Sequence, residues 1–375
     1  MGKIIILHNI ISPIRVFLFN KLSEYYEKKG IKLKVIFLSV SDKNRNWKTD
    51  SDINFDYEIL DNFAIRIAGK DLNTFFVNFG IVKTLKRENP HRVISFGWDN
   101  YAAYAANWWC RKNNKKFILW SGSTKYEQSW RRTLLRPLVK YLIKQTNGFI
   151  AYGTRSKEYL VSLGAPREKI QIFYNAVNID YFKEKSENFS KKEKFRLKEK
   201  LGVKTKKNIL FSGRLIKMKG IFEMVDGFKK YQKIDSDISL LIMGVGPDKI
   251  KLEKYIKKEK IKNVFFLNFI QYKSLYKYYA ISDLLLFPSR QDIWGLTINE
   301  ALTCELPIVT TEKVGASVDL VESGKNGYII KSNNSKGIAS AIEKIFENNL
   351  DKNNNSWEIV QKTRVKNNLN KLNLL

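Results

Sequence analysis

Histidine and cysteine are almost missing from this sequence: 375 residues contain two of each. With only His8 and His91, the chain has no histidine-rich metal site. Cys110 and Cys304 lie far apart, and neither belongs to a zinc-binding or redox spacing. A disulfide framework is excluded as well, and we expect both thiols to be buried small hydrophobes in a reducing cytosol.

Long apolar runs are also missing. No run approaches the ~18 residues that a membrane-spanning helix needs. Residues 1–19 combine a basic residue with an apolar stretch, as a secretory signal does, but Pro13, Arg15 and the lack of a small-residue cleavage pattern argue against one. We therefore expect a cytoplasmic protein.

Acidic residues are scarce relative to basic ones: 37 Asp and Glu face 67 Lys and Arg, a net charge of +30. Such a charge indicates an anionic partner. The segment Arg111–Lys144 has ten basic residues and one acid, and the aromatic residues in or beside it include Trp108, Trp109, Trp120, Tyr126 and Trp130. This pattern fits a face on an anionic membrane surface, single-stranded nucleic acid, or a solvated basic helix with its aromatics in the core.

Short apolar runs alternate with amphipathic segments along the whole chain, a pattern typical of doubly wound parallel sheets. The length suits two domains. In the first half, the pattern predicts strands at 3–8, 33–38, 93–96, 117–120, 149–152 and 170–174, and helices at 12–29, 72–88, 99–112, 131–145 and 156–163. In the second half, it predicts strands at 209–212, 239–243, 264–267, 284–287, 308–310 and 328–330, and helices at 222–232, 249–259 and 335–348.

The boundaries between these parts follow composition. Residues 183–207 are heavily charged and predict a connection with an exposed helix. We expect an N-terminal domain over 1–182 and a C-terminal domain over 183–350, with 351–375 packing back on the first domain or fraying. Residues 41–62 are polar and irregular, and the sequence assigns them no role.

The segment 284–310 predicts a strand, a glycine turn at Gly295, a helix starting near Leu296 and a second strand. The start of that helix, at the strand's carboxyl end, favours an anion. Asp292 and Glu300 bracket the turn with a D-x7-E spacing. Taken alone, they also fit a helix-start acid and a solvated helix residue.

A second cluster follows the predicted strand 209–212. Gly213 and Gly220 permit tight turns there, and Arg214 and Lys219 place cations at the strand's carboxyl end. A diphosphate held between these cations and the helix start at Gly295 is neutralised from two sides. Lys217 is a less suitable substitute for Lys219 as a diphosphate ligand. The alternative to a diphosphate site is a solvent-facing basic loop.

The residues 213–220 read GR-x4-KG, residues 244–247 read G-x-G-P, and D-x7-E follows. This order resembles the retaining glycosyltransferases of family 4, whose signature is E-x7-E. The resemblance covers most of 150–350 and implies the GT-B fold, two Rossmann-like domains facing a central cleft. The Asp in the first acid position puts the identity of the sugar, rather than the reaction class, in question.

The resemblance assigns roles residue by residue. It implies catalytic roles for Asp292, Arg214 and Lys219, with Asp292 orienting sugar hydroxyls and the cations stabilising the leaving diphosphate. The implied donor-binding residues are Glu300 at the ribose, Gly295, Leu296, Thr297, Gly213, Gly244 and Ile270. Alone, Gly244 is only a turn and Ile270 a loop residue.

The first domain matches only in architecture. It lacks the Gly-Gly that relatives often carry after the first strand, and Ser121–Lys125 stands where many have a histidine. The acceptor-side candidates are Arg15, Ser123 and Asp99. Arg15 equally suits a helix-start surface residue, and we expect Asp99 to cap the following helix.

The implied reaction moves a sugar from a UDP- or GDP-sugar to a saccharide acceptor, without a metal or other cofactor. The basic segment suggests a lipid-linked acceptor on the inner face of the plasma membrane, in capsule, O-antigen or teichoic-type polymer assembly. Alternatives are a soluble-acceptor transferase, a sugar-nucleotide epimerase of the same fold and, on charge alone, a nucleic-acid-binding protein. The flanking cations disfavour a two-carboxylate hydrolase.

Overall fold

The computed structural model describes residues 2–39, 53–61, 63–66, 74–127, 130–350 and 355–374. Two compact units form, one from Met1–Asn175 with Val365–Leu375, the other from Ala176–Arg364. The second unit is thus inserted between two parts of the first. Its two ends are tied by an ion pair in which Arg364 Nη2 lies 2.5 Å from Asp180 Oδ1.

The described residues of the first unit form nine strands: β1 Gly2–Ile10, β2 Ile31–Ser39, β3 Asp56–Ile59, β4 Phe63–Arg66, β5 Thr74–Val77, β6 Arg92–Phe96, β7 Lys116–Ser121, β8 Gly148–Ala151 and β9 Ile170–Ile172. Seven of them form one parallel sheet in the order β3-β2-β1-β6-β7-β8-β9. Its helices are α1 Pro13–Glu27, α2 Ile81–Glu88, α3 Tyr101–Lys112, α4 Trp130–Lys144 and α5 Thr154–Ser162.

The predicted helix over 72–88 is wrong in its first part. Residues 72–73 lie outside the described residues, and β5 pairs antiparallel with β4. The β-branched and aromatic run Thr74–Val77 favours a strand. Asn78 then fixes the chain, because its buried Nδ2 donates to the carbonyls of Leu38 and Asp61 at 3.0 and 3.1 Å, and α2 begins only at Ile81.

The core of the first unit lies against the sheet. Ile5, Val93, Phe117 and Phe149 are fully buried and pack with apolar residues of α2 to α5. The C-terminal segment also belongs to this unit, with α15 at Val365–Asn368 and a 3₁₀ turn at Leu369–Leu374.

In the part of the second unit that the structure describes, six strands form a parallel sheet in the order β12-β11-β10-β13-β14-β15. Its strands are β10 Lys207–Ser212, β11 Ile238–Met243, β12 Val264–Asn268, β13 Leu284–Phe287, β14 Ile308–Thr311 and β15 Gly327–Ile330. Its helices are α6 Ile179–Glu187, α7 Lys191–Leu201, α8 Ile221–Tyr231, α9 Lys249–Lys258, α10 Leu275–Ala280, α11 Leu296–Thr303, α12 Ser317–Leu320, α13 Ser335–Glu347 and α14 Ser356–Val360.

Each sheet reverses its strand order beside its first strand, at β1/β6 in one unit and at β10/β13 in the other. In open parallel sheets, ligands bind at such a switch point, outside the carboxyl ends of the strands. We call this side of each sheet its carboxyl edge. The prediction of two doubly wound parallel sheets is confirmed, and α7 supplies the helix expected within 183–207.

Candidate active site

The carboxyl edge of the second unit is built by backbone packed on backbone. The amide of Gly213, just after β10, donates to Met243 O at 3.0 Å, and Gly244 N–H donates to Asn268 O at 2.8 Å. A Cβ atom on Gly244 would lie 1.9 Å from Gly213 O, and one on Gly220 would lie 2.1 Å from Pro288 O. Only glycine fits at these two positions, so the turns after β10, β11 and β13 are held against each other.

The structure brings the two predicted clusters together. Lys219 Nζ lies 2.5 Å from Asp292 Oδ2, although the two residues are 73 positions apart. Both side chains are largely buried, with 19% and 16% of their surface exposed. Asp292 Oδ1 accepts the amide proton of Trp294 at 3.0 Å, which fixes the carboxylate just before α11. The acid and the cation are therefore held in one place by the fold.

Arg214 differs from Lys219 in its surroundings. Its side chain is exposed and forms no ion pair or hydrogen bond with any residue that the structure describes. The Lys219–Asp292 pair is close to neutral, so Arg214 leaves this edge with an uncompensated positive charge. An anion arriving here meets a guanidinium with five free donors.

Helix α11 begins at this edge. Gly295 adopts a left-handed conformation, with φ of 89°, and turns the chain into the helix. The first amides of an α-helix, here those of Leu296 and Thr297, have no carbonyl partner inside the helix and favour negative charge. The Thr297 hydroxyl lies 3.3 Å from Ser212 O, so the helix start is held against the end of β10.

Glu300 is not the solvated helix residue that its spacing alone also allows. Only 5% of it is exposed, and the Tyr279 hydroxyl donates to its Oε2 at 2.6 Å. Burial raises the pKa of Glu300 to about 7, while the hydrogen bond from Tyr279 opposes that rise. A carboxylate with this pKa is a marked feature of a candidate site.

Ile270 follows β12 by two residues and is half-buried. The amide of Gly244 is bonded to Asn268, the last residue of that strand, so the loop carrying Ile270 leaves the sheet beside the G-x-G-P turn. Its contact with a nucleotide base stays a prediction.

Two further contacts at this edge escaped the sequence reasoning. Arg290 forms an ion pair with Glu223 of α8, and its amide donates to Met218 O at 2.9 Å. Trp294 Nε1 donates to Asn299 Oδ1 at 2.8 Å, deep in the core. Both hold the loop that carries Asp292, and neither has a local spacing that reveals it.

The three acceptor-side candidates lie near the carboxyl edge of the first unit. Arg15, in the first turn of α1, donates to the Tyr152 hydroxyl at 2.8 Å, and its guanidinium lies 5.3 Å from the Phe96 ring centre. Ser123 follows β7, and its amide donates to Ser121 Oγ at 3.1 Å.

Asp99 follows β6 but does not cap α3, so that expectation is wrong. The cap is Asn100, whose side chain accepts the amide proton of Ala103 at 2.8 Å. Asp99 instead forms an ion pair, with its Oδ2 3.3 Å from Arg132 Nη2. Arg132 Nη1 also lies 3.0 Å from Glu127 Oε2.

The basic segment divides its aromatics between core and surface. Trp109 and Trp120 are buried, whereas Trp108 is 53% exposed. The side chain of Trp130 lies outside the described residues. Exposed apolar side chains on α3 and α4 form what we call the apolar face: Trp108, Leu134, Leu135, Leu138 and Tyr141. The Arg111 guanidinium donates to the Tyr141 hydroxyl at 3.2 Å and so joins the two helices.

None of the helices in the described ranges has both the length and the apolar character of a membrane span. The same ranges hold no group of three or more His, Cys, Asp or Glu side chains suited to a metal ion.

Comparison with known proteins adds independent findings. Residues 193–363 match the family described as "Glycosyl transferases group 1", and residues 19–181 match "Glycosyltransferase Family 4". The chain is 26% identical over 187 residues to "Capsular polysaccharide biosynthesis glycosyltransferase CapM" of Staphylococcus aureus, covering 49% of this chain and 44% of the relative. It is also 26% identical over 216 residues to an "Uncharacterized 41.2 kDa protein in cps region" of Klebsiella pneumoniae, covering 58% and 56%.

The chain spans about half the length of the curated relatives it matches. Among solved structures, Anabaena HepE in complex with UDP and glucose superposes with a TM-score of 0.75 over 100% of this chain and 98% of the other, at 16% identity. At that identity the likeness concerns the fold, and the predicted GT-B class is confirmed.

Proposed function

The chain belongs to the group 1 and family 4 glycosyltransferases, and from this premise we propose that it transfers a sugar from a nucleoside-diphosphate donor with retention of anomeric configuration. The supporting observation is the second carboxyl edge, where exposed Arg214 lies one residue past Gly213 and Lys219 pairs with Asp292 beside the start of α11. This arrangement suits a diphosphate with a sugar attached.

In the proposed reaction, the acceptor hydroxyl attacks the anomeric carbon, the bond between that carbon and the diphosphate breaks, and the hydroxyl proton passes to the departing diphosphate. Negative charge grows on the diphosphate, and the Arg214 guanidinium, the Lys219 ammonium and the first amides of α11 stabilise it. Lys219 keeps two donor protons beyond the one it gives to Asp292. Asp292 orients sugar hydroxyls, and Glu300 binds the ribose.

We propose further that the acceptor is lipid-linked and that the protein docks on the inner face of the plasma membrane through the apolar face. Three exposed cations on α4, Arg136, Lys140 and Lys144, accompany its leucines. Burying one such leucine in lipid contributes about 1.5–3 kcal/mol, and each basic residue adds ~1 kcal/mol on an anionic surface. By analogy with the S. aureus relative, we place the product in surface polysaccharide assembly.

Donor binding is tested by calorimetry with UDP, GDP and a panel of their sugar conjugates. We expect saturable binding of one base that is largely lost in Arg214→Ala and kept in Lys217→Ala, an exposed cation of the same loop. No nucleotide binding, together with a steeply salt-dependent affinity for single-stranded DNA, would instead support a nucleic-acid-binding protein.

Docking is tested by sedimentation with vesicles of neutral and of anionic lipid. The double variant Leu134→Gln/Leu138→Gln should lose about a hundredfold or more of its affinity for anionic vesicles, because two leucines no longer enter the lipid. The matched control is Ile234→Gln/Ile250→Gln, which alters two equally exposed apolar side chains of the second unit. Equal binding by both doubles contradicts the proposed docking.

A further inference from the structure

Tyr279 occupies a position that no sequence motif marks. It lies on the short helix α10, is fully buried, and reaches the underside of α11. Its oxygen lies 2.6 Å from Glu300 Oε2 and 2.9 Å from Thr297 Oγ1. One hydroxyl therefore touches both the carboxylate and the first turn of the helix that begins at the candidate site.

The proton count decides the direction of these bonds. Ionised Glu300 only accepts, so the single Tyr279 proton goes to the carboxylate. Thr297 then donates its own proton to the Tyr279 oxygen or to Ser212 O, which is 3.3 Å away. The other oxygen of Glu300 accepts no hydrogen bond from a described residue.

We propose that Tyr279 is a positioning residue for donor recognition, which fixes one oxygen of Glu300 so that the other accepts a ribose hydroxyl. This inference rests on the proposed function and assigns the residue behind its ribose contact. Without that hydrogen bond, nothing that the structure describes fixes the Glu300 carboxylate, and its last two side-chain torsions are less restricted. The entropy lost in fixing the Glu300 carboxylate then lowers the affinity for the nucleotide.

The surroundings of Glu300 make this hydrogen bond matter electrostatically. Its other titratable neighbours are Tyr272, before α10, and Cys304, after α11. Burial raises the pKa of both groups, to about 12 for Cys304, so neither carries charge near neutrality. Tyr279 itself has a raised pKa for the same reason. The Tyr279 hydroxyl is therefore the direct stabiliser of the Glu300 charge in this buried setting.

The test compares two variants and two ligands. Tyr279→Phe removes one oxygen and keeps the ring, and Tyr278→Phe makes the same change at the adjacent residue, whose hydroxyl bonds to no described residue. Binding of the preferred nucleoside diphosphate, UDP or GDP, is measured beside its 2′,3′-dideoxy form. We expect Tyr279→Phe to lose about tenfold for the ribose form, the worth of a hydrogen bond to a charged group, and about twofold or less for the dideoxy form.

Two more readouts separate positioning from mere packing. In the Glu300→Gln background, Tyr279→Phe should cause no further loss for the ribose form. The pH at which the affinity for the ribose form falls should lie higher in Tyr279→Phe than in wild type, because the carboxylate is then harder to ionise. Equal weakening for both ligands, or an unmoved pH midpoint, overturns the role of Tyr279. A wild-type protein that binds no nucleotide overturns the proposed function itself.

Discussion

The two carboxyl edges differ in which atoms pack against their glycine turns. In the second unit, turns meet backbone to backbone at Gly244 and Gly220, and charges pair across 73 positions. In the first unit, the turn after β6 is also bonded to backbone, with Gly97 N–H donating to Trp120 O at 2.8 Å. Its closest glycine contact is with a side chain, because a Cβ atom on Gly122 would lie 2.2 Å from the ring of Tyr152, the residue that accepts the hydrogen bond of Arg15. A Cβ atom on Gly97 of that edge would meet nothing within 4 Å.

The difference shows why one edge has a signature and the other has none. A diphosphate is bound by main-chain amides and a few cations, which demands glycine at fixed places in the sequence. An edge that works through side chains can be assembled from many residue types. The comparison yields four predictions, given from the largest expected effect to the smallest.

The largest effect is expected for Lys219→Ala, because a fixed ammonium is removed from the point where negative charge develops. Turnover with the preferred sugar nucleotide should fall by about 10²–10³-fold. The measurement is the rate of nucleotide release at saturating donor. Lys217→Ala, in the same 3₁₀ turn but exposed, should change the rate little. Similar losses in both variants would mean that general positive charge, not the placed cation, carries the effect.

Glycine substitutions compare the two edges directly. Gly244→Ala forces a φ of +148° on alanine and places its Cβ 1.9 Å from Gly213 O, so it should cost about 3 kcal/mol or more. Gly97→Ala has the strained φ of +80° but open space, and should cost about 1–2 kcal/mol. Both losses are measured from the midpoints of thermal unfolding. The transition whose midpoint rises when nucleotide is added is assigned to the second unit. A larger loss in Gly97→Ala would reverse the comparison.

The second edge should also carry a pH signature. Burial raises the pKa of Glu300 from its ordinary value near 4.5 to about 7, so the native state holds an extra proton between these pH values. The contribution of protonated Glu300 to the free energy of unfolding is fully present below about pH 4.5. It is lost, by up to roughly 3 kcal/mol, as the pH rises through 7. Glu300→Gln should therefore melt higher than wild type at pH 8 while binding nucleotide more weakly.

The control for that prediction is Glu347→Gln on the exposed end of α13. It should leave the pH profile of the melting temperature as it is in wild type. An unchanged profile in Glu300→Gln would show that the buried carboxylate is not the group that titrates.

The smallest effect is expected for Arg15→Gln. The contacts of Arg15 with Tyr152 and Phe96 lie within the first unit, so nucleotide affinity should stay within about twofold of wild type. Calorimetry with UDP or GDP measures this. A loss of more than about fivefold would show that the first carboxyl edge takes part in donor binding, and the contrast between the edges would fail.

Much of the fold was predictable because parallel strands and their helices repeat a strong periodic pattern. The error at residues 74–77 arose because the helical pattern that continues into α2 was extended over Thr-Phe-Phe-Val, a run too short for periodicity to assign. Its β-branched and aromatic residues favour a strand, and it pairs with β4. Asp99 was expected as a cap, but Asn100 beside it is as good a cap residue and occupies the position.

The candidate site was predictable where glycine and charge are spaced locally, as in GR-x4-KG and D-x7-E. The contact of Glu300 with Tyr279 joins the consecutive helices α10 and α11, and that of Arg290 with Glu223 joins the loop after β13 to α8. No sequence motif marks either contact. Whether the named residues act as proposed stays a prediction.

The insertion of the second unit sets an order of events during synthesis. Residues 365–374, which contact the first unit through Arg92 and the carbonyl of Leu372, leave the ribosome only after all of residues 176–364. The unit that is started first is therefore completed last. Until the second unit has been translated, the first unit lacks residues 365–374, and the surface that they cover stays exposed in the nascent chain.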